Sequence, residues 1–214
     1  MSIRHGRGLP RRLALIPFVA LALAAGPALA AEADAPQVQL VKHLDGTLLD
    51  VMRNAKQLGF KGRYAKLEPL VQQVFDVRLM TQVAVGSGWN ELTDDQRAEL
   101  VKAFGQFIAA TYADRFDGYS GEKFVESGQR PYGTGTLVQT QLVKSDGEPV
   151  ALDYVTHEND GNWQVVDVYM TGTISELATR RSEFSAVFHR AGYEGLLQSL
   201  QEKVAQIKHQ SEVG

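Results

Sequence analysis

Few residues in this sequence combine the type and spacing that chemistry requires. The best placed acid is Asp167, inside "NWQVVDVYMTGTISELATRRSEF", which runs from Asn162 to Phe184. A carboxylate among apolar strand neighbours costs several kcal/mol, on the order of 2–7, if it finds no partner. Two uses would offset that cost. Asp167 can act as a general base in a cone-shaped pocket, with Tyr154 or Tyr169 as a hydrogen-bond donor. The more ordinary use, which is favoured, is pairing with an Arg or with a helix N-terminus near residues 173–176. Arg180 and Arg181 follow closely. As forked donors they can meet a phosphate or a carboxylate, although such doublets are more often solvated or paired with an acid at the core edge.

Other candidates fall away on spacing. The five histidines, His5, His43, His157, His189 and His209, form no metal-binding spacing. His157-Glu158 lies beside the turn "ENDGN", where a surface pair is the usual outcome. No G-x-S-x-G occurs. "GTGT" at 133–136 lacks the Lys and the following helix of a phosphate loop. "GSGWNELT" leads into a helix N-terminus, but Asp94 and Asp95 behind it oppose an anion there. With no cysteine in the chain, Cys nucleophiles, Cys-ligated zinc and iron–sulfur centres are excluded. No catalytic residue, metal ligand or cofactor is assigned.

The first thirty of the 214 residues have the order of a secretory signal. "MSIRHGRGLPRR" carries four Arg, "LALIPFVALALAAG" is apolar, and Ala28 and Ala30 precede a cleavage point after Ala30. The apolar run of about 14 residues is short of the about 20 that span a bilayer, and Pro17 interrupts it. Removing this segment takes away four Arg and no acid, moving the net charge from −3 to −7. An acidic exported chain is a poor partner for nucleic acid or for anionic membrane surfaces. Residues 31–37 read as a flexible leader and 38–210 as a single domain, sized to bury a core without disulfides.

Which elements hold these residues follows from periodicity. Leu40, Leu44, Leu48, Val51 and Ala55 make a helical stripe ending near residue 58. Gly59 and Gly62 break it. Helical pieces follow at about 63–74, with Pro69 as a possible break, and at about 76–85. "TDDQ" at Thr93 is a capping box, and the helix behind it, apolar at Leu100, Phe104, Phe107, Ile108 and Tyr112, should end near residues 117–118. From residue 122 the period becomes two. "EKFVESGQ", "TGTLVQTQLVK", "EPVALDYVTHE" and "NWQVVDVYM" are strands separated by turn sequences, including Asp-Gly at 146–147 and 160–161. Helices return at about 175–190 and 193–209, jointed at Gly192. The fold class is α+β: a twisted antiparallel four-stranded meander packed by N- and C-terminal helices.

The last strand is unusual. Strict alternation puts Trp163, Val165 and Tyr169 on one face and Val166, Val168 and Met170 on the other, so both faces look dry. Large apolar residues are plentiful elsewhere too, among them Val138, Leu142, Leu152, Tyr154, Ile174, Leu177, Phe184 and Phe188. Pattern alone favours a filled core. A cavity lined by them would cost about 24 cal/mol per Å3 unless a ligand filled it. An acyl chain could do so, at about 0.8 kcal/mol per buried CH2.

Two stretches together resemble a known family. Residues 75–113, "FDVRLMTQVAVGSGWNELTDDQRAELVKAFGQFIAATYA", resemble the F-[DN]-x-x-x-M … G-x-x-W-x-x-x-[ST]-x-x-Q pattern of the MlaC, or toluene-tolerance, family, matching at Phe75, Met80, Gly86, Trp89, Thr93, Gln96, Phe104 and Tyr112. "WQVVDVYMTGTISELATRRSEF" is similar to that family's W-x-V-x-D-V-x-x-x-G … R-x-x-F segment, matching at Trp163, Val165, Asp167, Val168, Gly172, Arg181 and Phe184. The resemblance covers about residues 38–205. It implies a soluble periplasmic phospholipid carrier with tails in an apolar pocket between sheet and helices. Implied partners are the membrane-anchored MCE-domain subunit of an inner-membrane ABC transporter and an outer-membrane lipoprotein–porin complex. The carrier would be a monomer without a cofactor. Implied lipid contacts are Phe107, Val138, Leu142, Tyr154, Val165, Val168, Tyr169, Ile174, Leu177 and Phe188. "ATRRSEFSAVFHRAGYEGLL" further resembles the HpnM-type subgroup encoded beside hopanoid-biosynthesis genes, which raises a hopanoid as an alternative lipid. Where the family has Val-Ser after the glycine, this sequence has Thr173-Ile174-Ser175, so the family's wall position falls on Thr173 or Ile174.

Two rivals to a carrier stand beside it. One is a cone-shaped α+β enzyme using Asp167 and a Tyr on an apolar substrate. The other is a periplasmic interaction module with a filled core.

Overall fold

The computed structural model describes residues 34–213. The expected signal segment, and residues 31–33 of the expected leader, lie outside them. Helix α1 spans Pro36–Arg53. Pro36 suits its first turn, where a missing N–H costs nothing. Helix α1 thus takes in Pro36 and Gln37, which the sequence reading places in a leader. Leu44, Leu48 and Val51 of the expected stripe are buried, with Val41 beside them.

The expected break near residue 58 occurs in two steps. Asn54 leaves helical geometry and donates from Nδ2 to Asp50 O at 2.8 Å. Helix α2, Ala55–Val74, is then kinked at Gly59, where φ is +58°. Pro69 does not break it. A proline inside a helix costs about 3 kcal/mol, and the buried Leu67, Leu70, Val71 and Val74 around it offset that cost. Helix α3, Val77–Val85, is capped by Asp76, whose Oδ1 accepts from Leu79 N at 2.9 Å. A 3-10 turn at Gly86–Glu91 leads to helix α4, Asp94–Arg115. Its capping box is closed in both directions: Gln96 N donates to Thr93 Oγ1 at 3.2 Å, and Thr93 N to Gln96 Oε1 at 3.0 Å.

The sheet is an antiparallel meander in the order β1 to β5. Its strands are β1 Lys123–Tyr132, β2 Gly135–Val143, β3 Pro149–Asn159, β4 Asn162–Met170 and β5 Ile174–Ser175. The sequence pattern has four strands. The fifth is a two-residue addition, formed because Thr171 and Gly172 take positive φ (53° and 73°) and fold the chain back on the end of β4. Asp160 and Gly161, both at positive φ, make the two-residue turn expected between β3 and β4. Helix α5, Glu176–Val213, is kinked at Gly192, at φ +67°, where the sequence places the joint.

Strict alternation fails in β4. Val155 pairs with Asp167, but the next residue, Thr156, pairs with Val165. Val166 is therefore an extra residue, a β-bulge. The bulge puts Val165, Val168 and Met170 on one face, opposite Thr156, Tyr154 and Leu152 of β3. Val165 and Val168 are both buried although three apart. Tyr169 and Asp167 turn to the other face. The inner face packs on the helices in one continuous core. On the outer face Tyr132 and Tyr169 meet through their hydroxyls at 2.8 Å, bridging β1 and β4.

Candidate functional site

A cavity of about 80 Å3 opens between α4, the inner face of β3–β4 and the start of α5. Helix α4 supplies one wall at helical spacing: Phe104, Phe107, Ile108, Thr111, Tyr112 and Arg115. Leu152, Val168 and Met170 form the sheet wall, which exists because the bulge turns Val168 and Met170 inward. Leu177 closes the α5 side, and Phe75 and Met80 lie opposite. Aromatic edges stiffen the lining. Phe75 meets Tyr112 edge-on at 5.8 Å, and Phe107 meets Phe184 at 5.6 Å. Burial pushes the Tyr112 phenol far above its ordinary range, so it stays neutral.

The charged groups sit at the mouth. Arg115 ends α4, and Glu176 and Arg180 lie on the first turns of α5. Arg115 Nη1 is 3.6 Å from Glu176 Oε1 and 3.1 Å from Met170 Sδ. Arg180 Nη2 is 3.1 Å from Glu176 Oε2, and its guanidinium lies 5.1 Å over the Phe107 ring. The end of α4 is held by buried Arg63, which donates from Nε to Ala113 O at 2.7 Å.

Of the ten side chains expected to meet lipid, Phe107, Val168 and Leu177 line this cavity. The other seven lie outside it, for separate reasons. Val138, Tyr154 and Val165 are fully buried in the packed core. Leu142 sits far along β2, opposite Val150 and Phe124. Tyr169 faces outward and bonds Tyr132, because the bulge reverses its side. The turn at Thr171–Gly172 carries Ile174 into solvent, 54% exposed, and Thr173 is exposed too. Phe188 packs on Gly88 of the 3-10 turn, where an added Cβ would lie 2.0 Å from its ring.

Asp167 is used as an anchor for α5. Its Oδ1 accepts from Val168 N at 2.7 Å and Leu177 N at 3.0 Å, and its Oδ2 accepts from Ser175 Oγ at 2.6 Å. This is the pairing with a helix start weighed from the sequence, and the carboxylate does not line the cavity. His157 Nε2 lies 3.0 Å from Asp76 Oδ2, joining β3 to the cap of α3. Arg181 is exposed on the surface of α5. Among the described residues no cluster of three or more His, Asp or Glu is arranged to hold a metal ion. No helix among them is long and apolar enough to cross a membrane.

Sequence reasoning missed Arg115 and Glu176 as site residues. The signal for Arg115 was present, because it continues the stripe 104, 107/108, 111/112 by one more turn of α4. Leu152 and Met170 stood in the apolar inventory, but only the strand register brings them to the cavity.

Comparison with known proteins agrees with this architecture. Residues 42–202 match the family described as MlaC protein. The intermembrane phospholipid transport system binding protein MlaC of Haemophilus influenzae is 22% identical over 127 residues. That match takes in 57% of this chain and spans 59% of the relative's length. A phospholipid-binding protein from Ralstonia solanacearum, solved in complex with a phospholipid, superposes with a TM-score of 0.69 at 27% identity. It covers 81% of this chain and 99% of its own. With the family's match extending over most of the chain and a fold shared with a phospholipid-bound relative, the protein belongs to the MlaC family.

Proposed function

We propose that this protein is a non-catalytic carrier of phospholipid, and that the cavity between α4, β3–β4 and α5 receives an acyl chain. The observation that carries the reading is a largely apolar cavity whose charged groups, Arg115, Glu176 and Arg180, gather where the end of α4 meets the start of α5. Each methylene placed there returns about 0.8 kcal/mol. Pockets that enclose whole ligands run to about 300–1,000 Å3. Uptake of a whole acyl chain therefore requires the cavity to widen. Transfer needs no bond breaking, only partition between apolar sites of different affinity.

In this reading residues 1–30 direct export and are removed, and the carrier works in the periplasm. It exchanges lipid with the MCE-domain subunit of an inner-membrane ABC transporter and with an outer-membrane lipoprotein complex. The relatives' phospholipid transport and phospholipid binding support this assignment.

The test is lipid extraction from protein purified out of its own host, followed by mass spectrometry. A phospholipid near one per protein is expected. A hopanoid in its place would reassign the cargo. Absence of any amphiphile, together with no uptake from phospholipid vesicles, would overturn the carrier reading.

A further inference from the structure

The mouth of the cavity holds more charge than an acyl pocket needs. Arg115, Glu176, Arg180, Glu183 and Lys203 form an alternating ladder from the end of α4 across α5, with steps of 3.6, 3.1, 3.1 and 2.5 Å. The ladder has one more cation than anions, in a chain whose overall charge is −3. Glu176 is shared between two guanidiniums, one carboxylate oxygen to each, and the Arg115 step is too long for a hydrogen bond. Both guanidiniums also rest on cavity walls, Arg115 on Met170 and Arg180 on Phe107. Their charges therefore stand where an acyl chain leaves the cavity and its head group begins.

We propose that Arg115 and Arg180 form a phosphodiester subsite, with Glu176 as the resting occupant that a lipid phosphate displaces. The proposal rests on the carrier reading above. Arginine forks match phosphate oxygens, and two forks on different elements suit a group with several oxygens better than a single carboxylate at a chain end. The amides at the start of α5 are not the anion site, because Leu177 N and Ala178 N are already held by Asp167 and Ser175. A monoanionic phosphodiester balances the single excess positive charge. The plainer alternative is a salt-bridge ladder that only fastens α4 to α5. The two differ in sign at Glu176. In a fastening ladder its loss weakens the site, whereas in a phosphate subsite its loss frees Arg115 and one edge of Arg180, whose other edge stays on Glu183.

The experiment compares three probes with the same fluorescent acyl tail, phosphatidylglycerol, diacylglycerol and fatty acid, presented in vesicles to the purified exported protein. Wild type should hold the phosphatidylglycerol at least about tenfold more tightly than the diacylglycerol. R115Q/R180Q should remove that preference, bringing the ratio of phosphatidylglycerol to diacylglycerol retention to about one. R115K/R180K should restore part of it. E176Q should sharpen the preference for phosphatidylglycerol, a gain that misfolding cannot produce. Equal retention of phosphatidylglycerol and diacylglycerol by wild type, or loss of both lipids together in R115Q/R180Q and E176Q, would overturn the subsite while leaving acyl carriage intact. Fatty acid held as tightly as phosphatidylglycerol would overturn its phosphodiester character. Retention of none of the three by wild type would overturn the carrier reading itself.

Discussion

Tyr154, on the inner face of β3, donates its phenolic hydrogen to Asp45 Oδ1 of α1 at 2.9 Å, joining residues 109 positions apart inside the core. Burial lifts the Asp45 carboxyl to about 7, the Tyr154 bond pulls it partly back, and nearby Glu126 adds to the rise. In the unfolded chain the same group titrates near about 3.9. The folded state therefore binds the proton more tightly. The resulting stability is fully present below about pH 4 and is lost as pH rises through 7. Three pKa units bound the effect at about 4 kcal/mol. Denaturant midpoints should fall between pH 5 and pH 8 in wild type, and Asp45→Asn should flatten that fall. An identical pH profile in the two proteins would remove Asp45 as its source.

Gly88 and Phe188 make a contact that leaves no room for a side chain. A Cβ at Gly88 would lie 2.0 Å from the Phe188 ring, which is 7% exposed. Gly88→Ala should destabilise the protein by about 1–3 kcal/mol, since the ring must leave its place. Phe188→Leu in the same chain should recover part of the loss. Thermal melting of the single and double variants checks this, and additive losses would contradict it.

Leu177 is half-buried, sits on the cavity wall and begins α5. Leu177→Trp should occupy the space that an acyl chain needs. Uptake of a tail-labelled phospholipid from vesicles is expected to fall by at least about tenfold, the equivalent of about 1.4 kcal/mol, while circular dichroism stays as in wild type. Normal uptake by a folded variant would place the lipid elsewhere.

The closed capping box of α4 supplies a control. Thr93→Ala removes one half of it and should cost about 1 kcal/mol of stability. Thr93 does not line the cavity, so lipid uptake at a temperature well below melting should be unchanged. A parallel loss of uptake would mean that α4 positions the site less rigidly than its packing suggests.

Local signals made much of this protein legible before its structure. Thr93 and Gln96 marked the start of α4, Gly192 the kink of α5, and Asp160-Gly161 the β3–β4 turn. All three depend on chemistry within a few residues. The site depended on something less local. One inserted residue, Val166, reverses the faces of β4, and period-two reasoning assigned Val168 and Tyr169 to sides that the bulge exchanges with those of Val165. Tyr154 looked like a cavity residue by type, but its hydroxyl is committed to Asp45, a partner no spacing rule connects to it. Arg115 has no local signal beyond its place on the α4 stripe, and its meaning emerges only when Glu176 folds against it.

The most direct measurement places a photo-crosslinking amino acid at Ile108, on the α4 wall of the cavity, and irradiates the protein after loading from phospholipid vesicles. A covalent adduct with the mass of a phospholipid, captured at Ile108 and absent when the same amino acid replaces exposed Arg181, is the predicted result. Capture at the surface position with none at Ile108, in protein that demonstrably holds lipid, would contradict the central claim.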